Sequence, residues 1–430
     1  MALALGFAHY GGGALLWGAP QAVAKDAAAA NDVWFEHGRP RAETLAFLAL
    51  LKEADEHGLD PADYRPAEIA RALAAPVSDQ ARASALLSEA LAAYARDLKV
   101  PRGADEVFYV DAELRPVAPD PADLVAAGSL TANLLALHAQ NLPYENLRAG
   151  LKLYRESWGR LPAVTIPEGP ALAAGSKGER VSLLRERLGL PGEGEQARIF
   201  DAALGEQVRR FRADHGLGDR PVADSATIAA LNRGARHYER IILADLDRLR
   251  SLPSGGERYV LVDTASAELR LIEAGREAAT MRAVVGRQGM ETPQLAGFIR
   301  YAVVNPYWNV PPDLVRNSVA PAVLREGHEA IARRRFVLSP DWRTDTRVDP
   351  EAVDWPAVAA GRESIWVRQL PGGSNMMGKV KFMLPNDLGI YLHDTPNKSL
   401  FRRDDRQLSS GCVRVEDADR LAGWLLRRER

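Results

Sequence analysis

The spacing of hydrophobic residues changes partway along this chain, and that change limits the folds it can adopt. In the first half, apolar residues recur at helical intervals, as Phe47, Leu50, Leu51 and Ala54 do. An i, i+3, i+4, i+7 spacing predicts amphipathic helices. Beyond Tyr238, a polar helix is followed by short β-rich runs separated by Gly, Pro, Asp and Asn. The sequence therefore predicts an α+β multidomain chain, because each pattern needs a core of its own.

Length and composition exclude several classes of protein. A chain of 430 residues is long enough for two or three domains. Its 47% hydrophobic and 26% charged residues are typical of a folded globular chain rather than a disordered one. The net charge of −2 shows no basic excess that would indicate nucleic acid as a partner. No run of apolar residues is long enough to predict a transmembrane helix.

The first residues have the features of a cleaved export signal. Residues 1–24 are apolar and glycine-rich, and the first Lys or Arg is Lys25. The segment closes with Ala22, Val23 and Ala24, a small-x-small pattern of the kind that signal peptidase cuts after. We therefore predict an export segment at 1–24 and a periplasmic or cell-envelope location. The alternative is an unstructured N-terminus with no targeting role.

Two helical modules are predicted before the β-rich region. Residues 32–165 predict a helical support domain that contains no catalytic arrangement of side chains. A Pro- and Gly-rich linker is predicted at 162–178. A second module, at 172–235, contains three short helices, which bury too little surface to be stable without a neighbour.

The region 250–430 is predicted to be a mainly β sandwich or partly closed barrel. The strand pattern is interrupted at about 313–364, where helical spacing returns. That insert is long enough to form a helical lid rather than a loop. The predicted strands are Tyr259 to Val262, Leu269 to Ile272, Arg282 to Val285, Tyr301 to Val304, Trp366 to Arg368, Val380 to Met383 and Ile390 to His393.

A single cysteine is the main candidate for chemistry. Cys412 follows Gly411, and a glycine there allows a tight turn whose amides can converge on a reacting carbonyl oxygen. A helix predicted to begin at Asp417 would favour the thiolate. His393 ends a predicted strand, and an imidazole close to a thiol can take its proton and return it to a leaving amine. The alternatives are a buried, inert cysteine and a histidine with a structural role.

The sequence gives no indication of a cofactor or metal. It contains neither an HExxH nor a CxxC motif, and its eight histidines are scattered. We therefore predict chemistry that depends on amino-acid side chains alone.

The cysteine motif resembles that of a known family. Residues 258–430 are similar to the L,D-transpeptidase catalytic domain, the YkuD-type fold, through His393 and the run from Ser409 to Arg414. Ser410, where many members have His, together with the long insert resembles the YcbB-like subfamily. Val33-Trp34-Phe35 resembles the scaffold domain of that subfamily.

The module at 172–235 resembles a different family, peptidoglycan-binding domain 1. The similarity runs through Val181, Leu184-Arg185-Glu186-Arg187-Leu188 and Thr227-Ile228-Ala229-Ala230-Leu231-Asn232. The sequence departs from that family at Arg212 and around 219–222. Glycan binding and a spacer role therefore both stay open for this module.

The resemblance implies roles for individual residues. Cys412 would be the nucleophile, and His393 its general base and acid, oriented by the Tyr391 carbonyl. The backbone amides of Gly411 and Cys412 would stabilise the oxyanion. Arg414 would either hold the turn or contact a substrate carboxylate. The other predicted substrate-binding residues are Ser409, Ser410, Trp308, Asn375 and Gly378, and core packing is the alternative for Trp308.

The implied reaction is acyl transfer between peptidoglycan stem peptides. Cys412 would expel the terminal D-alanine of a tetrapeptide, and an amine on a second stem would take the acyl group, which forms a 3→3 crosslink. The expected partners are stem peptides and glycan, with carbapenems as covalent inhibitors of a monomeric protein. Water as the acceptor would instead give an L,D-carboxypeptidase or endopeptidase. A non-catalytic wall-binding protein and a cytosolic cysteine hydrolase are the remaining alternatives.

Overall fold

A computed structural model describes residues 2–5, 31–103, 106–126, 128–253, 258–341 and 346–427. Apart from residues 2–5, the export segment predicted at 1–24 lies outside the described residues. The chain divides into two compact units. One comprises 19–104 and 116–254, and the other comprises 1–18, 105–115 and 255–430. Strand β1 (Ala2–Leu5) belongs to the second unit.

The first unit is helical, as the periodicity predicts. It also contains a small hairpin of β2 (Phe35–Glu36) and β3 (Arg39–Pro40). Its helices are α1 (Asn31–Trp34), α2 (Ala42–Lys52), α3 (Pro66–Leu73), α4 (Gln80–Lys99), α5 (Pro121–Ala126), α6 (Leu130–His138), α7 (Leu142–Glu156), α8 (Glu179–Arg187), α9 (Ala202–Asp214), α10 (Ser225–Arg233) and α11 (Ala235–Leu249). None of the helices in the described part of the chain is long and apolar enough to cross a bilayer.

This unit contains two hydrophobic cores. The first packs α1–α6 around Phe47, Leu87 and Tyr94, all fully buried. The second packs α8, α9 and α10 around Val181 and Leu204. The three-helix module predicted at 172–235 therefore has its own core, although it shares a compact unit with the first helices.

The predicted linker is packed rather than free. Ile166 is buried in the core of the three-helix module, and its backbone N–H donates to Asn232 Oδ1 at 2.9 Å. The Leu172 and Ala223 backbones also exchange hydrogen bonds of 3.0 and 2.8 Å. Proline and glycine in this segment prevent helix formation but do not prevent extended packing.

Arg212, where the sequence departs from the peptidoglycan-binding family, has a structural role. Its side chain is buried, and Nη1 donates to Asp224 Oδ1 at 2.9 Å and to Val222 O at 3.2 Å. Because these contacts tie α9 to the loop before α10, the guanidinium holds together the turn that also differs from the family.

The second unit is mostly β, which confirms the predicted fold class. Its strands after β1 are β4 (Phe108–Tyr109), β5 (Tyr259–Asp263), β6 (Glu268–Glu273), β7 (Arg276–Gly286), β8 (Leu295–Phe298), β9 (Tyr301–Val304), β10 (Trp308–Asn309), β11 (Phe336–Ser339), β12 (Trp366–Gln369), β13 (Val380–Met383), β14 (Leu392–His393), β15 (Gln407–Ser409) and β16 (Val413–Val415). Its helices are α12 (Pro312–Leu314), α13 (Ala320–Glu326), α14 (Glu329–Arg333), α15 (Trp355–Ala359) and α16 (Ala418–Leu426).

The larger sheet has the order β4-β8-β1-β5-β6-β7-β16-β14-β13-β9, with β15 pairing to β7. Its core includes Val260, Leu269, Leu392 and Val413, all fully buried. The strand predicted at Ile390 to His393 is shorter than expected, because only Leu392 and His393 pair. Since β14 and β16 are neighbours in this order, the segments that carry His393 and Cys412 are adjacent.

The insert predicted at 313–364 has a core of its own. Its helices and β11 pack around Trp355, Ala320 and Leu338, which are all buried. The insert is not free of strands, since β11 lies within it. Strand β12 pairs with both β11 and β10, and the three strands form a second sheet. Helices α13 and α14 are separated at Gly327, which has a φ of 83°. A positive φ ends a helix and is most easily adopted by glycine.

Candidate active site

Three neighbouring strands bring three basic residues into register. Lys381 on β13 lies directly opposite His393 on β14. His393 in turn lies beside Arg414 on β16. Because residues opposite each other in a sheet project from the same face, their side chains form one row across the strands. We call Lys381, His393 and Arg414 the basic row.

Cys412 lies in a tight turn immediately before β16. Gly411 has a φ of 110°, a region that side chains rarely adopt, and a Cβ there would lie 3.0 Å from Ile390 Cδ1. The Gly411 N–H donates to Ser409 Oγ at 3.1 Å, and Thr292 Oγ1 donates to the Gly411 carbonyl at 2.7 Å. The turn is therefore fixed from both sides, and only glycine fits it without strain.

The basic row and Cys412 line one cavity of about 640 Å³. Its walls come from the β13–β14 region, from the cysteine turn, from Trp308 and Asn309 of β10, and from Leu314 at the start of the insert. A cavity of this size is large enough for a peptide segment rather than for a single small group.

Burial dominates the electrostatics of Cys412. The thiol donates a hydrogen bond to the Gly389 carbonyl, with a Sγ–O distance of 3.5 Å. Desolvation raises the pKa of Cys412 above its usual value, although hydrogen bonding to Tyr391 and the charges of Arg414 and Lys381 oppose that rise. The expectation of a favoured thiolate is therefore wrong for this state, because loss of solvent outweighs the neighbouring positive charges.

His393 is buried and held as a neutral imidazole. Burial is the main cause that lowers its pKa to about 3, and the charge of Arg414 lowers it further. Its Nδ1 lies 2.5 Å from the Asp394 carbonyl oxygen. A carbonyl can only accept, so Nδ1 carries the proton and Nε2 keeps a free lone pair. The imidazole is therefore in the tautomer of a general base.

The orienting group is not the one predicted. The Tyr391 carbonyl accepts the N–H of Val413 at 3.1 Å, as part of the pairing between β14 and β16, and is not the partner of His393. The Tyr391 side chain lines the cavity instead, with its ring centroid 5.7 Å from that of His393. Burial raises the pKa of its phenol, so the hydroxyl stays protonated.

Asp394 anchors the backbone that orients His393. Its carboxylate accepts hydrogen bonds from Lys398 Nζ at 2.6 Å and from the Lys379 N–H at 2.8 Å. Burial opposes ionisation, but these two bonds lower the pKa of Asp394 below its usual value. Gly378 makes this packing possible, because a Cβ at Gly378 would lie 2.3 Å from Asp394 Oδ2.

Some of the predicted substrate-binding residues lie in the cavity and others do not. Trp308, Ser409, Ser410 and Arg414 line it, whereas Asn375 and Gly378 do not. Asn375 is fully buried, and its amide donates to the carbonyls of Pro306, Gln369 and Leu370 at 3.0–3.2 Å. The prediction that Asn375 and Gly378 line the cleft is therefore wrong, since both hold the backbone behind it.

The structure also identifies residues that the sequence analysis missed. Lys381 belongs to the basic row, and Asn386 holds the 384–390 loop through bonds to the Leu384 and Ile390 carbonyls. Thr292 supports the cysteine turn from a distant part of the chain. An asparagine after a proline is a turn signal that could have indicated Asn386. No sequence signal marks Lys381 or Thr292. Within the described ranges, no group of three or more His, Cys, Asp and Glu side chains could hold a metal ion.

The raised pKa of Cys412 predicts how its reactivity depends on pH. We expect the rate of alkylation by iodoacetamide to rise about tenfold per pH unit from pH 6 to pH 9, because only the small thiolate fraction reacts. Mass spectrometry of the intact protein would give the rate without ambiguity, since Cys412 is the only cysteine. The alkylation rate of glutathione, measured in parallel, should reach its plateau at a lower pH than the alkylation rate of the protein. A plateau for the protein between pH 6 and pH 8 would show a preformed thiolate and contradict the prediction.

The fold and the site define a class of protein. Residues 257–430 match the family described as the L,D-transpeptidase catalytic domain, and residues 27–151 match the scaffold domain family. The chain thus contains an L,D-transpeptidase catalytic domain and a scaffold domain, which is the YcbB-like combination of domains that the sequence predicts.

Two individual proteins illustrate the similarity. A curated protein from Haemophilus influenzae, named "Putative L,D-transpeptidase", is 35% identical over 180 residues. That match covers 42% of this chain and 36% of the relative, so the chain spans about a third of the length of the relative. A crystal structure of the L,D-transpeptidase from Xylanimonas cellulosilytica is 17% identical, with a TM-score of 0.17. It is matched over 60% of this chain and 92% of its own.

Proposed function

We propose that this protein forms 3→3 peptidoglycan crosslinks through a Cys412 acyl-enzyme. The observation that carries the proposal is the presence of a thiol and a neutral, correctly protonated imidazole in one peptide-sized cavity of an L,D-transpeptidase domain. A peptidoglycan substrate fits the family, and the proposed site of action is the periplasm or cell envelope.

The first step forms a thioester. His393 Nε2 takes the proton of Cys412 as Sγ attacks the carbonyl of the third residue of a tetrapeptide stem. The imidazolium then returns that proton to the amine of the leaving D-alanine. Because the thiol is protonated at neutral pH, the base has to act during the attack rather than before it.

The negative charge on the carbonyl oxygen needs backbone donors. The amides of both Gly411 and Cys412 are predicted donors from the sequence. The Gly411 N–H already donates to Ser409 Oγ in this structure, so the Cys412 N–H is the donor that we propose here. Ser409 helps indirectly, because its hydroxyl fixes the turn that presents the Cys412 N–H.

In the second step an amine on another stem attacks the thioester carbonyl, His393 Nε2 takes the proton that the amine loses, and the Cys412 thiolate leaves and recovers that proton. The buried position of His393 favours an amine over water as acceptor, because a desolvated base is poorly placed to recruit bulk water. Trp308 of β10 and Leu314 of the insert form part of the apolar wall of this cavity.

Purified tetrapeptide stems would test this function. We expect wild-type protein to release D-alanine and produce crosslinked dimers when an acceptor stem with a free side-chain amine is present, and His393→Ala to slow both products at least a hundredfold. The reaction without acceptor measures hydrolysis. Release of D-alanine at the same rate with tripeptide as the only product would support the carboxypeptidase alternative. No reaction of any stem with folded protein would contradict both enzymatic assignments and favour a wall-binding role.

A further inference from the structure

Two cations of the basic row have no ion-pair partner. No carboxylate among the described residues forms a salt bridge with Lys381 or with Arg414. Arg414 Nε is buried without any hydrogen-bond partner, and Lys381 Nζ contacts the Tyr391 ring at 5.3 Å from its centroid. Elsewhere in this unit basic side chains are commonly paired, as Lys379 is with Asp419 and Lys398 with Asp394.

The cavity offers these cations no negative charge. Among the described residues that line it there is no Asp or Glu, whereas Lys381 and Arg414 both contribute to its wall. Burial lowers the pKa of each cation, which is the direction expected of a desolvated charge without compensation. A partly buried charge without a partner pays a desolvation penalty. A bound anion would offset that penalty.

We propose that Lys381 is a specificity-determining residue that binds a carboxylate of the donor peptide, with Arg414 on the other side of His393. This inference rests on the proposed function, because the donor is the peptide that acylates Cys412. Arg414 alone would leave the Lys381 side of the cavity without a role. Because Lys381 and Arg414 lie on opposite sides of His393, the two cations together would hold the donor peptide with its scissile carbonyl near the imidazole.

Two carboxylates of a donor stem have the required chemistry. One is the terminal carboxylate of the leaving D-alanine, and the other is a carboxylate on the side chain of the third residue, where that residue is a diamino acid that carries one. Peptides amidated at only one of these positions distinguish the two sources.

A purely structural role for Lys381 is the competing explanation. Its contact with the Tyr391 ring could hold that side chain in place, since a cation over an aromatic face is stabilising. That role predicts the same loss for every peptide when Lys381 is replaced. Recognition of a carboxylate predicts a loss only for peptides that carry it.

Calorimetric binding to the full chain with Cys412→Ala would test the inference without turnover. We expect Lys381→Met to weaken binding of the free tetrapeptide about 10- to 100-fold, as is typical of a lost charged hydrogen bond. One of the two singly amidated peptides lacks the carboxylate that Lys381 binds. Lys381→Met should bind that peptide with the same, weaker affinity as the protein that keeps Lys381. Lys381→Arg should restore most of the affinity for the free peptide.

Lys379→Met is the matched control, because the Lys379 side chain is exposed and paired with Asp419, and the substitution keeps the backbone N–H that donates to Asp394. It should bind all peptides as the parent does. An equal loss for free and amidated peptides in Lys381→Met, or no loss, would overturn the inference. So would the absence of any binding by the Cys412→Ala parent. A different outcome is that the peptides bind with the expected preference but the wild-type protein forms no crosslinks. That result would overturn the proposed function and would still support the carboxylate-binding site.

Discussion

Incubation with a carbapenem should add a single inhibitor mass to the wild-type protein and none to Cys412→Ala. The β-lactam carbonyl is an acyl donor, and Cys412 is the only thiol in the chain. His393 Nε2 would accept the thiol proton during ring opening, as in the reaction with a peptide. Loss of the sulfur removes the attacking atom, so we expect no residual adduct rather than a slower reaction. Intact-protein mass spectrometry measures both proteins directly.

The fold of Cys412→Ala needs its own measurement in this experiment. Replacing a half-buried thiol by a methyl group should change the unfolding midpoint little, because the hydrogen bonds of a thiol, such as the one to the Gly389 carbonyl, are weak. Circular dichroism during heating would check this. An adduct on Cys412→Ala would place acylation on another side chain. A wild-type protein that is folded but never acylated would show that the site is inactive.

Replacing Gly378 by alanine should destabilise the catalytic domain far more than replacing Gly275. Both glycines have left-handed φ values, of 60° and 70°, so each alanine costs about 1–3 kcal/mol of backbone strain. Only at Gly378 does the added Cβ also meet a neighbour, the Asp394 carboxylate at 2.3 Å, whereas Gly275 has open space around it. The clash should also move the Asp394 carbonyl that orients His393.

Exposure of the single thiol during urea unfolding would report on this domain alone, because Cys412 lies in it. We expect Gly378→Ala to lower the midpoint clearly more than Gly275→Ala and to lose most acyl-transfer activity, while Gly275→Ala keeps its activity. Similar midpoints for the two variants would mean that Asp394 can shift without cost and does not anchor the backbone that orients His393.

The elements that sequence predicts best are those with a strong local pattern. The strands Tyr301–Val304 and Val380–Met383 are correctly bounded, because each is a short apolar or β-branched run with clear breaks at its ends. Strand β8 was missed, since Gly297 lies in the middle of its four residues and weakens the pattern. Strand β11 was missed because charged segments flank it and its partner β12 is distant in sequence.

The candidate site shows the same division between local and long-range information. Cys412 and His393 could be selected because thiols and imidazoles are rare and chemically distinctive. Lys381 could not, since a lysine on a strand is most often solvated, and only the register with His393 places it in the cavity. The failure at Asn375 has a similar cause. Its three carbonyl partners come from two separate segments, at Pro306 and at the end of β12, and no local pattern shows that these segments meet.

Because β14 and β16 are neighbouring strands, the relative position of His393 and Cys412 does not depend on the length of the chain that connects them. Parallel neighbours must be joined by a crossover, which here runs from Asp394 to Cys412. Lys398 ties its start to the Glu416 carbonyl, and β15 ties its end to β7. Residues 399–406 lie between those two anchors, and the stretch 403–406 follows the short helical turn Lys398–Arg402. Relatives could therefore lengthen that stretch and alter the surface outside the cavity, while the distance between sulfur and imidazole stays as it is.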